Sequence, residues 1–326
     1  MGDSSVFPPE IALAIQKLAG DNTHGSVFLA RKSLEILAKG AKSYNGPASA
    51  AEFRRYLVAL ALHLAKTQPA MHAVSNQLAG VLDRFFEDTG KSALLPQLAG
   101  KLEKIIENRQ RRHSQELDSL GEKGAALLAE KFPGRARLIT LSNSESVLAV
   151  LRRLSDRGVE ISVAESRPLR EGVGLAEKLA GLGFEVTLVT DAMLGIETLG
   201  ASCVLVGADS VSREGAVINK AGTRLLALSA KMDQVPVYCC CQSCKIQPAV
   251  TAGPEASPPD QKQRPPGEVL RRKIEGLEVR NLYFDRTEYY LISGFITELG
   301  FLRQREIESL SEEFAAVRQR AFGGDY

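Results

Sequence analysis

The sequence predicts an α/β protein in which an N-terminal helical bundle is followed by a Rossmann-like domain with a parallel sheet. Up to about residue 130, apolar residues recur at spacings of three and four, which is the period of an amphipathic helix. Beyond that point, short apolar runs alternate with helical stretches. This alternation is typical of a doubly wound parallel sheet with right-handed crossovers. We therefore divide the chain into a helical domain, residues 1–130, and a Rossmann-like ligand-binding domain, residues 131–326.

Helical periodicity in the first part is interrupted by residues that break helices. The predicted helices are Ile11 to Leu18, Val27 to Leu37, Phe53 to Leu64, Val74 to Phe86 and Leu94 to Ile106. Breakers such as Asn45-Gly46-Pro47 and Gln68-Pro69 lie between them. We expect a further helix, from about Ser114 to Lys131, to lead into the second domain.

The second part reads as strands and helices in alternation. The predicted strands are Arg137 to Leu141, Val159 to Ala164, Glu185 to Thr190, Ala201 to Val206 and Pro236 to Cys241. The predicted helices lie near Glu145 to Asp156, Leu175 to Leu182, Gly195 to Leu199 and Thr223 to Lys231. Residues 246–267 hold six of the fourteen prolines, so we expect a mobile Pro-rich loop there. A final strand and helices are expected from Glu268 to about Arg320.

Composition limits the classes of function. The chain has 326 residues, 44% of them hydrophobic and 25% charged, with a net charge of +2, which is ordinary for a globular protein. That charge does not favour direct nucleic-acid binding, and the basic run from Arg109 to Ser114 is interpreted as the solvated face of a helix. No apolar run reaches the ~20 residues that span a bilayer, and the N-terminus does not resemble a signal peptide. We expect a cytoplasmic protein without membrane contact.

Four of the five cysteines crowd between Cys239 and Cys244. Cys241 and Cys244 form a C-x-x-C pair, but there is no second pair and the histidines lack zinc-like spacing. Packing as small hydrophobic residues is the simpler interpretation, with a redox or metal role as the alternative. Gly172-Val173-Gly174 approaches a dinucleotide fingerprint, yet Glu177 stands where the third small residue belongs. We therefore predict neither a metal nor an organic cofactor.

The segment from Cys203 to Lys231 carries the main functional signal. A buried strand ends on Gly207-Ala208-Asp209, so Asp209 is expected at the carboxyl edge of the sheet, where α/β proteins bind ligands. In the Gly-rich loop that follows, Asn219, Lys220, Thr223 and the free N–H groups of the next helix are suited to an anion such as a phosphate. A structural turn with a solvated Asp209 is the alternative.

Polar residues also follow the other predicted strands. Ser142, Asn143 and Ser144 follow the first strand and suit a helix cap, a phosphate contact, or both. Glu165 and Arg167 follow the second strand and Asp191 the third. Arg167 is a candidate for a ligand phosphate or a partner carboxylate, with local pairing among these charges as the alternative. If Asp191 and Asp209 face one crevice, their repulsion would raise one of the two pKa values, which would suit acid/base work.

Several motifs resemble one known superfamily. Gly207-Ala208-Asp209 is followed by an NKxGT pattern starting at Asn219, and by an alanine-rich helix before a Pro-initiated strand. Glu165-Ser166-Arg167-Pro168, Thr190-Asp191-Ala192-Met193, NLYFD at 281–285 and ITELG at 296–300 provide further matches in family order. This set resembles the initiation factor 2B alpha, beta and delta subunits and their relatives, methylthioribose-1-phosphate isomerase and ribose-1,5-bisphosphate isomerase.

The resemblance implies a site that lacks part of the isomerase machinery. The isomerases pair a cysteine after the first strand with the aspartate of the GAD motif; here Ser142 stands at the cysteine position and Asp209 is kept. Their RGA-type phosphate turn corresponds to Thr23-His24-Gly25-Ser26, and an RPTAVN-like segment to one starting at Gln68. Both arginines are absent, and with them the bidentate grip on phosphate. Gly25 remains as a candidate ligand contact.

Three functions remain open. The first is a regulatory-subunit-like protein that binds a sugar phosphate or nucleoside monophosphate in the crevice between domains, with weak catalysis or none. The second is an aldose-ketose isomerase acting on a sugar 1-phosphate through Asp209 and Ser142 or a nearby thiol. The third is an assembly protein with a vestigial pocket. The resemblance also implies a homodimer or a larger assembly of the same fold.

Overall fold

The structure, a computed structural model, describes residues 7–21, 25–89, 95–249 and 263–323. The chain forms two compact units. One comprises Met1–Gln115, Cys244–Thr251 and Ser309–Tyr326, and the other comprises Glu116–Ser243 and Ala252–Glu308. Among the helices in the described ranges, none combines the length and the apolar character needed to cross a membrane.

The first unit is built from helices, as predicted. They are α1 (Pro9–Gly20), α2 (Ser26–Lys42), α3 (Ala50–Thr67), α4 (His72–Thr89) and the first part of α5 (Leu95–Lys131). The two helices predicted around Leu94 to Ile106 and Ser114 to Lys131 are one helix of 37 residues. Residues 107–113 are polar, but they contain no glycine or proline and several good helix formers, so nothing interrupts the helix there.

Large apolar side chains form the core of the first unit. Phe53 and Phe85 are buried with their ring centroids 6.5 Å apart in an edge-to-face arrangement. The returning segment after Cys244 is fixed by Asn76, whose side-chain amide donates to the carbonyls of Cys244 and Ile246 at 2.9 and 2.8 Å. Long-range hydrogen bonds of this kind attach a distant part of the chain to the bundle.

The second unit contains a seven-stranded sheet in the order β10-β9-β7-β4-β1-β2-β3. The strands are β1 (Arg137–Leu141), β2 (Glu160–Ala164), β3 (Glu185–Val189), β4 (Cys203–Val206), β7 (Val237–Cys240), β9 (Gly294–Thr297) and β10 (Gly300–Leu302). All neighbours are parallel except β9 and β10. The predicted Rossmann-like fold class is confirmed.

Helices connect these strands, with bounds that differ somewhat from the prediction. They are α6 (Glu145–Leu151), α7 (Glu171–Gly181), α8 (Leu194–Glu197), α9 (Thr223–Met232) and α10 (Gln304–Phe322). The helix predicted up to Asp156 tightens into a 3-10 helix at Arg152–Arg157 and ends at Gly158, whose φ of +64° favours glycine. The core of this unit lies between the sheet and its helices, with Leu205 and Leu175 fully buried.

A second, antiparallel sheet was not predicted. It consists of β5 (Ser210–Val211), β6 (Val217–Lys220) and β8 (Phe284–Thr287), in the order β5-β6-β8. The prediction of a loop leading directly from Asp209 into a helix is therefore wrong, because a β-hairpin intervenes. Pairing between β6 and β8 aligns Asn219 with Asp285, which brings the NLYFD segment next to the NKxGT segment.

The C-terminal region after the Pro-rich segment is more strand-rich than predicted. Instead of one final strand and several helices, it holds β8, β9 and β10, and then the single helix α10. Most of the predicted Pro-rich loop, residues 250–262, lies outside the described residues. The described part after it includes a 3-10 turn at Pro266–Glu268.

Candidate functional site

The loops that follow β1 and β4 leave the same edge of the parallel sheet. The two strands are neighbours, with Ile139 paired to Val204, and every residue of β4 is buried. β4 continues into Gly207, Ala208 and Asp209, and β1 continues into Ser142. Since both strands point the same way, their loops emerge together at the edge where open α/β sheets bind ligands.

At Gly207 the two loops lie very close to each other. A side chain built on Gly207 would place its Cβ 2.5 Å from Ser144 Oγ and 2.7 Å from Ser144 Cβ. The same position lies 3.8 Å from Asn219 Oδ1. The first residue of the GAD motif therefore has to be small, and its lack of a side chain lets Ser144 and Asn219 approach the backbone before Asp209.

Asp209 lies between β4 and the hairpin. It is half-buried, and its backbone N–H donates to the carbonyl of Ile218 at 2.9 Å. This bond holds the residue at the start of the β5–β6 hairpin. The predicted position of Asp209 at the carboxyl edge agrees with the fold.

Ser142 has an unusual backbone conformation. Its φ is +63°, in the left-handed region that residues other than glycine rarely adopt. The Ser142 N–H donates to Ser166 Oγ at 2.7 Å, and Ser166 has a φ of +62° as well. The hydrogen bond between the two serines connects the loops after β1 and β2. It holds Ser142 in its strained backbone conformation.

Asn143 and Ser144 are engaged locally. Ser144 is the N-cap residue of α6, and its hydroxyl oxygen accepts from the Val147 N–H at 3.3 Å. Asn143 Oδ1 accepts from Lys178 Nζ at 3.2 Å. Of the two roles suggested by the sequence, the cap is visible in the structure and the phosphate contact stays a prediction.

The loop after β2 is held by Asp191. The carboxylate of Asp191 accepts from the backbone N–H groups of Ser166 and Arg167 at 2.8 and 2.7 Å. Glu165 forms an ion pair with Arg170 at 3.0 Å. The guanidinium of Arg167, an exposed residue, donates to the carbonyl of Val269 at 3.3 Å. Glu165 and Asp191 are thus both paired locally, as the alternative interpretation expected. The partner of Glu165, however, is Arg170 and not Arg167.

Asn219 and Lys220 end β6. The Asn219 amide donates to Thr223 Oγ1 at 3.0 Å. Lys220 is buried, and its ammonium lies 2.6 Å from Glu171 Oε1 and 4.7 Å from the ring centroid of Tyr283. A carboxylate and an aromatic face therefore surround the predicted phosphate-binding lysine.

The predicted anion site at the start of α9 holds a carboxylate of the chain itself. Asp285 of β8 accepts from the Gly222 N–H at 2.8 Å and from the Arg224 N–H at 3.1 and 3.2 Å. Burial raises the pKa of Asp285, against the lowering effect of these hydrogen bonds. Sequence reasoning missed this role, and its only local signal is the FD pair of the NLYFD segment.

A second buried carboxylate, which the sequence did not identify, is Glu298 of the TELG segment. It accepts from the Ser243 N–H at 3.1 and 3.0 Å and from the Ser243 hydroxyl. Burial raises the pKa of Glu298. The residue connects the end of β9 to the segment after β7 and has a structural role in this unit.

Gly25 lies in the first unit. It is the N-cap residue of α2, in an extended conformation with a φ of −74°. The adjacent Thr23 and His24, which the sequence aligned with a phosphate-binding turn, lie outside the described residues. The role of Gly25 in ligand binding stays a prediction.

The five cysteines are buried and free of disulfides. Burial raises the pKa of both Cys203 and Cys240, which keeps these thiols neutral. Cys239 lies close to the site, with its sulfur 3.8 Å from the carbonyl oxygen of Gly207. Within the described ranges, no group of three or more His, Cys, Asp or Glu side chains is arranged to hold a metal ion.

Comparison with known proteins identifies the family to which this chain belongs. The chain matches the initiation factor 2 subunit family over residues 22–304. It is 29% identical to an initiation factor eIF-2B subunit 2-like protein of Pyrococcus abyssi, over 91% of this chain and 98% of the relative. It is 29% identical to ribose 1,5-bisphosphate isomerase of Archaeoglobus fulgidus, over 89% of each chain.

A solved structure supports the same assignment. The crystal structure of translation initiation factor eIF-2B from Pyrococcus horikoshii OT3 superimposes with a TM-score of 0.72 at 27% identity. The match covers 92% of this chain and all of that one. The resemblance predicted from the GAD, NKxGT and TELG segments is confirmed, and the chain belongs to the initiation factor 2 subunit family.

Proposed function

We propose that residues 131–326 bind a phosphorylated small molecule at the carboxyl edge of the parallel sheet around Asp209, with little catalysis or none. The ligand class is a sugar phosphate or a nucleoside monophosphate. The observation that carries the proposal is that β1 and β4 are neighbouring parallel strands, with Ser142, an alcohol, directly after β1 and Asp209 in the segment that follows β4.

The chemistry of isomerisation supports a low catalytic rate. Moving hydrogen between neighbouring carbons of a sugar requires acid/base groups on both sides of the substrate. A serine hydroxyl without an adjacent base is a far poorer proton carrier than a thiol with a pKa of about 8.5. The thiol of Cys239 lies 3.8 Å from the carbonyl oxygen of Gly207, but it is fully buried and therefore poorly placed to replace that thiol.

Ligand binding itself needs less than catalysis does. The meeting of Ser144, Gly207 and Asn219 leaves polar groups at the sheet edge next to Asp209. Arg167 adds an exposed guanidinium on the neighbouring loop, and guanidinium groups bind phosphate well. Asp191 and Lys220 already have internal partners. Their proposed role is therefore to hold the loops in place and not to contact the ligand.

A second candidate function is aldose-ketose isomerisation of a sugar 1-phosphate. The identity with the Archaeoglobus fulgidus ribose 1,5-bisphosphate isomerase extends over 89% of both chains, and Asp209 of the GAD motif is present. In that case Asp209 would act as the acid/base group, with Ser142 or a neighbouring thiol as its partner.

We also propose that copies of this chain associate with one another. Family resemblance favours a homodimer or a larger assembly of the same fold. The third alternative, an assembly protein with a vestigial pocket, differs from the first only in the absence of a ligand.

One experiment separates the three functions. Purified protein is incubated with ribose 1,5-bisphosphate or methylthioribose 1-phosphate, and ketose formation is followed by NMR for wild type, Asp209→Asn and Ser142→Cys. We expect no turnover by wild type; turnover that disappears in Asp209→Asn would establish the isomerase instead. Thermal unfolding with the same compounds and with nucleoside monophosphates then distinguishes a binding protein from a vestigial pocket, since a ligand at 100 times its Kd stabilises by about 2.7 kcal/mol.

A further inference from the structure

A short segment ahead of β8 is attached to the rest of the second unit by hydrogen bonds. Residues 263–269 run beside residues 279–283. The Arg264 N–H donates to the carbonyl of Asn281 at 2.9 Å, and the Asn281 amide donates to the carbonyl of Pro265 at 2.9 Å. Two successive prolines, Pro265 and Pro266, restrict the backbone of this segment. We call residues 263–269 the strap.

Glu268 attaches the strap through two buried side chains. Its carboxylate accepts from the Tyr283 hydroxyl at 2.8 and 2.7 Å and from the Asn281 amide at 2.8 Å. Tyr283 and Asn281 are 4% and 2% exposed, so water competes little for these hydrogen bonds, which are strengthened by the charge of Glu268. Burial, together with the hydrogen bond to Glu268, raises the pKa of Tyr283. The hydroxyl therefore stays a donor, and it would lose its acceptor without Glu268.

The end of the strap reaches Arg167. The residue after Glu268 is Val269, and its carbonyl accepts from Arg167 Nη2 at 3.3 Å. The backbone N–H of Arg167 donates to the carboxylate of Asp191 at 2.7 Å. The strap therefore holds the guanidinium of Arg167, and Asp191 holds its backbone.

The positive charge of Arg167 stays available on the surface. Glu165 is paired with Arg170 at 3.0 Å, and both oxygens of Asp191 accept from backbone N–H groups. Among the described residues, no carboxylate forms an ion pair with Arg167, which is exposed. A guanidinium has five N–H donors in a planar fork. The carbonyl of Val269 occupies one of them, so an anion can still bind to the others.

Holding an arginine side chain in place before a ligand arrives favours binding. An unrestrained arginine loses rotamer freedom when it binds a phosphate, and this loss weakens the complex. The carbonyl of Val269 restrains the guanidinium of Arg167 without cancelling its charge. A carboxylate in the same position would also restrain it, but it would compete with the phosphate. A neutral acceptor is therefore suited to an arginine that is oriented for an anion.

We propose that Glu268 is a positioning residue of the phosphate site. It holds the strap, and the strap orients the guanidinium of Arg167 for the phosphate of the ligand. Glu268 does not contact the ligand in this arrangement. This role rests on the proposed function, in which the guanidinium of Arg167 binds the phosphate.

A double-mutant cycle in ligand binding tests this role, with inorganic phosphate as the probe at constant ionic strength. Its Kd is measured by thermal-unfolding titration of the full chain for wild type, Glu268→Ala, Arg167→Ala and the double variant. We expect Glu268→Ala to raise the Kd about threefold to tenfold, the effect of having to order one long side chain on binding. Arg167→Ala should raise the Kd more, and the double variant should match Arg167→Ala. Glu278→Ala removes an exposed carboxylate and is the control, with an unchanged Kd.

Two further measurements cover the case in which Glu268→Ala fails to fold. Tyr283→Phe removes one hydroxyl and should raise the Kd by a smaller factor. The second measurement needs no ligand: phenylglyoxal modifies accessible arginines, and peptide mass spectrometry follows the rate at Arg167. This rate should rise in Glu268→Ala and in Tyr283→Phe, while the rate at Arg305, an exposed arginine of α10, should stay the same.

Equal Kd values for Glu268→Ala and wild type, additive effects in the cycle, or an unchanged modification rate at Arg167 would each overturn the proposal. The titration also separates this proposal from the proposed function. If phosphate binds to wild type and to Glu268→Ala equally well, but weakly to Asp209→Asn, the site at Asp209 is supported and the role of Glu268 is wrong. If wild type does not bind phosphate, the phosphate site and the role of Glu268 are both wrong.

Discussion

The carboxylate of Asp285 lies 2.8 Å from the backbone nitrogen of Gly222 and caps the start of α9. It also accepts from the Arg224 N–H. The positive end of a helix dipole at this point attracts an anion, and the fold supplies one from β8, 63 residues away in sequence. The phosphate of a ligand is therefore expected nearer to Asp209 than to the start of α9.

Replacing Asp285 by alanine should destabilise the second unit. Asp285→Ala leaves the Gly222 and Arg224 N–H groups without their acceptor, which should cost about 1–2 kcal/mol in the free energy of unfolding. Asp285→Asn keeps one oxygen acceptor and should cost less. Urea unfolding measures both, with Glu275→Gln, an exposed residue, as the control. Equal stability of Asp285→Ala and wild type would contradict the capping role.

The stability that Asp285 contributes should depend on pH in a defined direction. Burial raises the pKa of Asp285 above its ordinary value of 3.8, so the folded state binds the proton more tightly than the unfolded state. The free energy of unfolding of wild type relative to Asp285→Asn should therefore fall as the pH rises from below 3.8 through the raised pKa, and then stay constant. Urea unfolding at a series of acidic pH values measures this difference. If the difference in the free energy of unfolding rose with pH instead, the hydrogen bonds would lower the pKa of Asp285 by more than burial raises it.

Two glycines at the sheet edge should differ in how far they tolerate a side chain. A Cβ on Gly172 would overlap the backbone carbonyl of Ala164 in β2, and one on Gly207 would meet the side chain of Ser144. Gly207→Ala should cost about 1–3 kcal/mol, with partial recovery in Gly207→Ala/Ser144→Gly. Gly172→Ala should cost more, because the β2 backbone is fixed by pairing with β1 and β3.

A matched control for the two glycines is Gly80 in α4, where a Cβ would meet nothing within 4 Å. Gly80→Ala should stabilise by about 0.5–1 kcal/mol, as alanine is the better helix former. Thermal unfolding of the four variants gives the order. If Gly207→Ala were as stable as wild type, the close approach of the loops after β1 and β4 would be wrong.

Removing one partner of the buried ion pair between Lys220 and Glu171 should lower the free energy of unfolding. Glu171→Gln leaves the buried Lys220 ammonium without its carboxylate, which should cost about 3 kcal/mol. The double variant Lys220→Met/Glu171→Gln should cost less than the sum of the single ones, as measured by a double-mutant cycle in urea. Glu52→Gln, which breaks the exposed pair with Arg55, is the control and should cost less than about 0.5 kcal/mol. Additive single effects would show that the two residues do not interact.

The sequence was sufficient to predict the alternation of strands and helices, but it was not sufficient to predict the second sheet. Periodicity identified β1, β2 and β4 because each is a largely buried apolar run. It also identified β3 at the sheet edge, where only Val189 is buried. β5 has two residues and depends on β6, which pairs in turn with the distant β8. Periodicity cannot reveal so short a strand, since its evidence lies in long-range pairing.

The site shows the same limit. Asp209 and Ser142 could be assigned to the sheet edge because each lies within three residues of the end of a strand. The partners of Lys220 and Asp191 could not be assigned, because they come from distant parts of the sequence: Glu171 from the start of α7 and Ser166 from the loop after β2. Charged residues at strand ends look alike in sequence, whether they hold a neighbouring loop or face a ligand.

The most direct test of the central claim is a thermal-unfolding titration with ribose 1,5-bisphosphate and with nucleoside monophosphates, in wild type and in Asp209→Asn. Wild type should show a saturable rise in melting temperature with at least one compound, and Asp209→Asn should show a much smaller one. The same samples, followed by NMR, should contain no ketose. Equal stabilisation of both proteins, or none with any compound, would contradict a ligand site at Asp209, and ketose formed only by wild type would contradict the non-catalytic account.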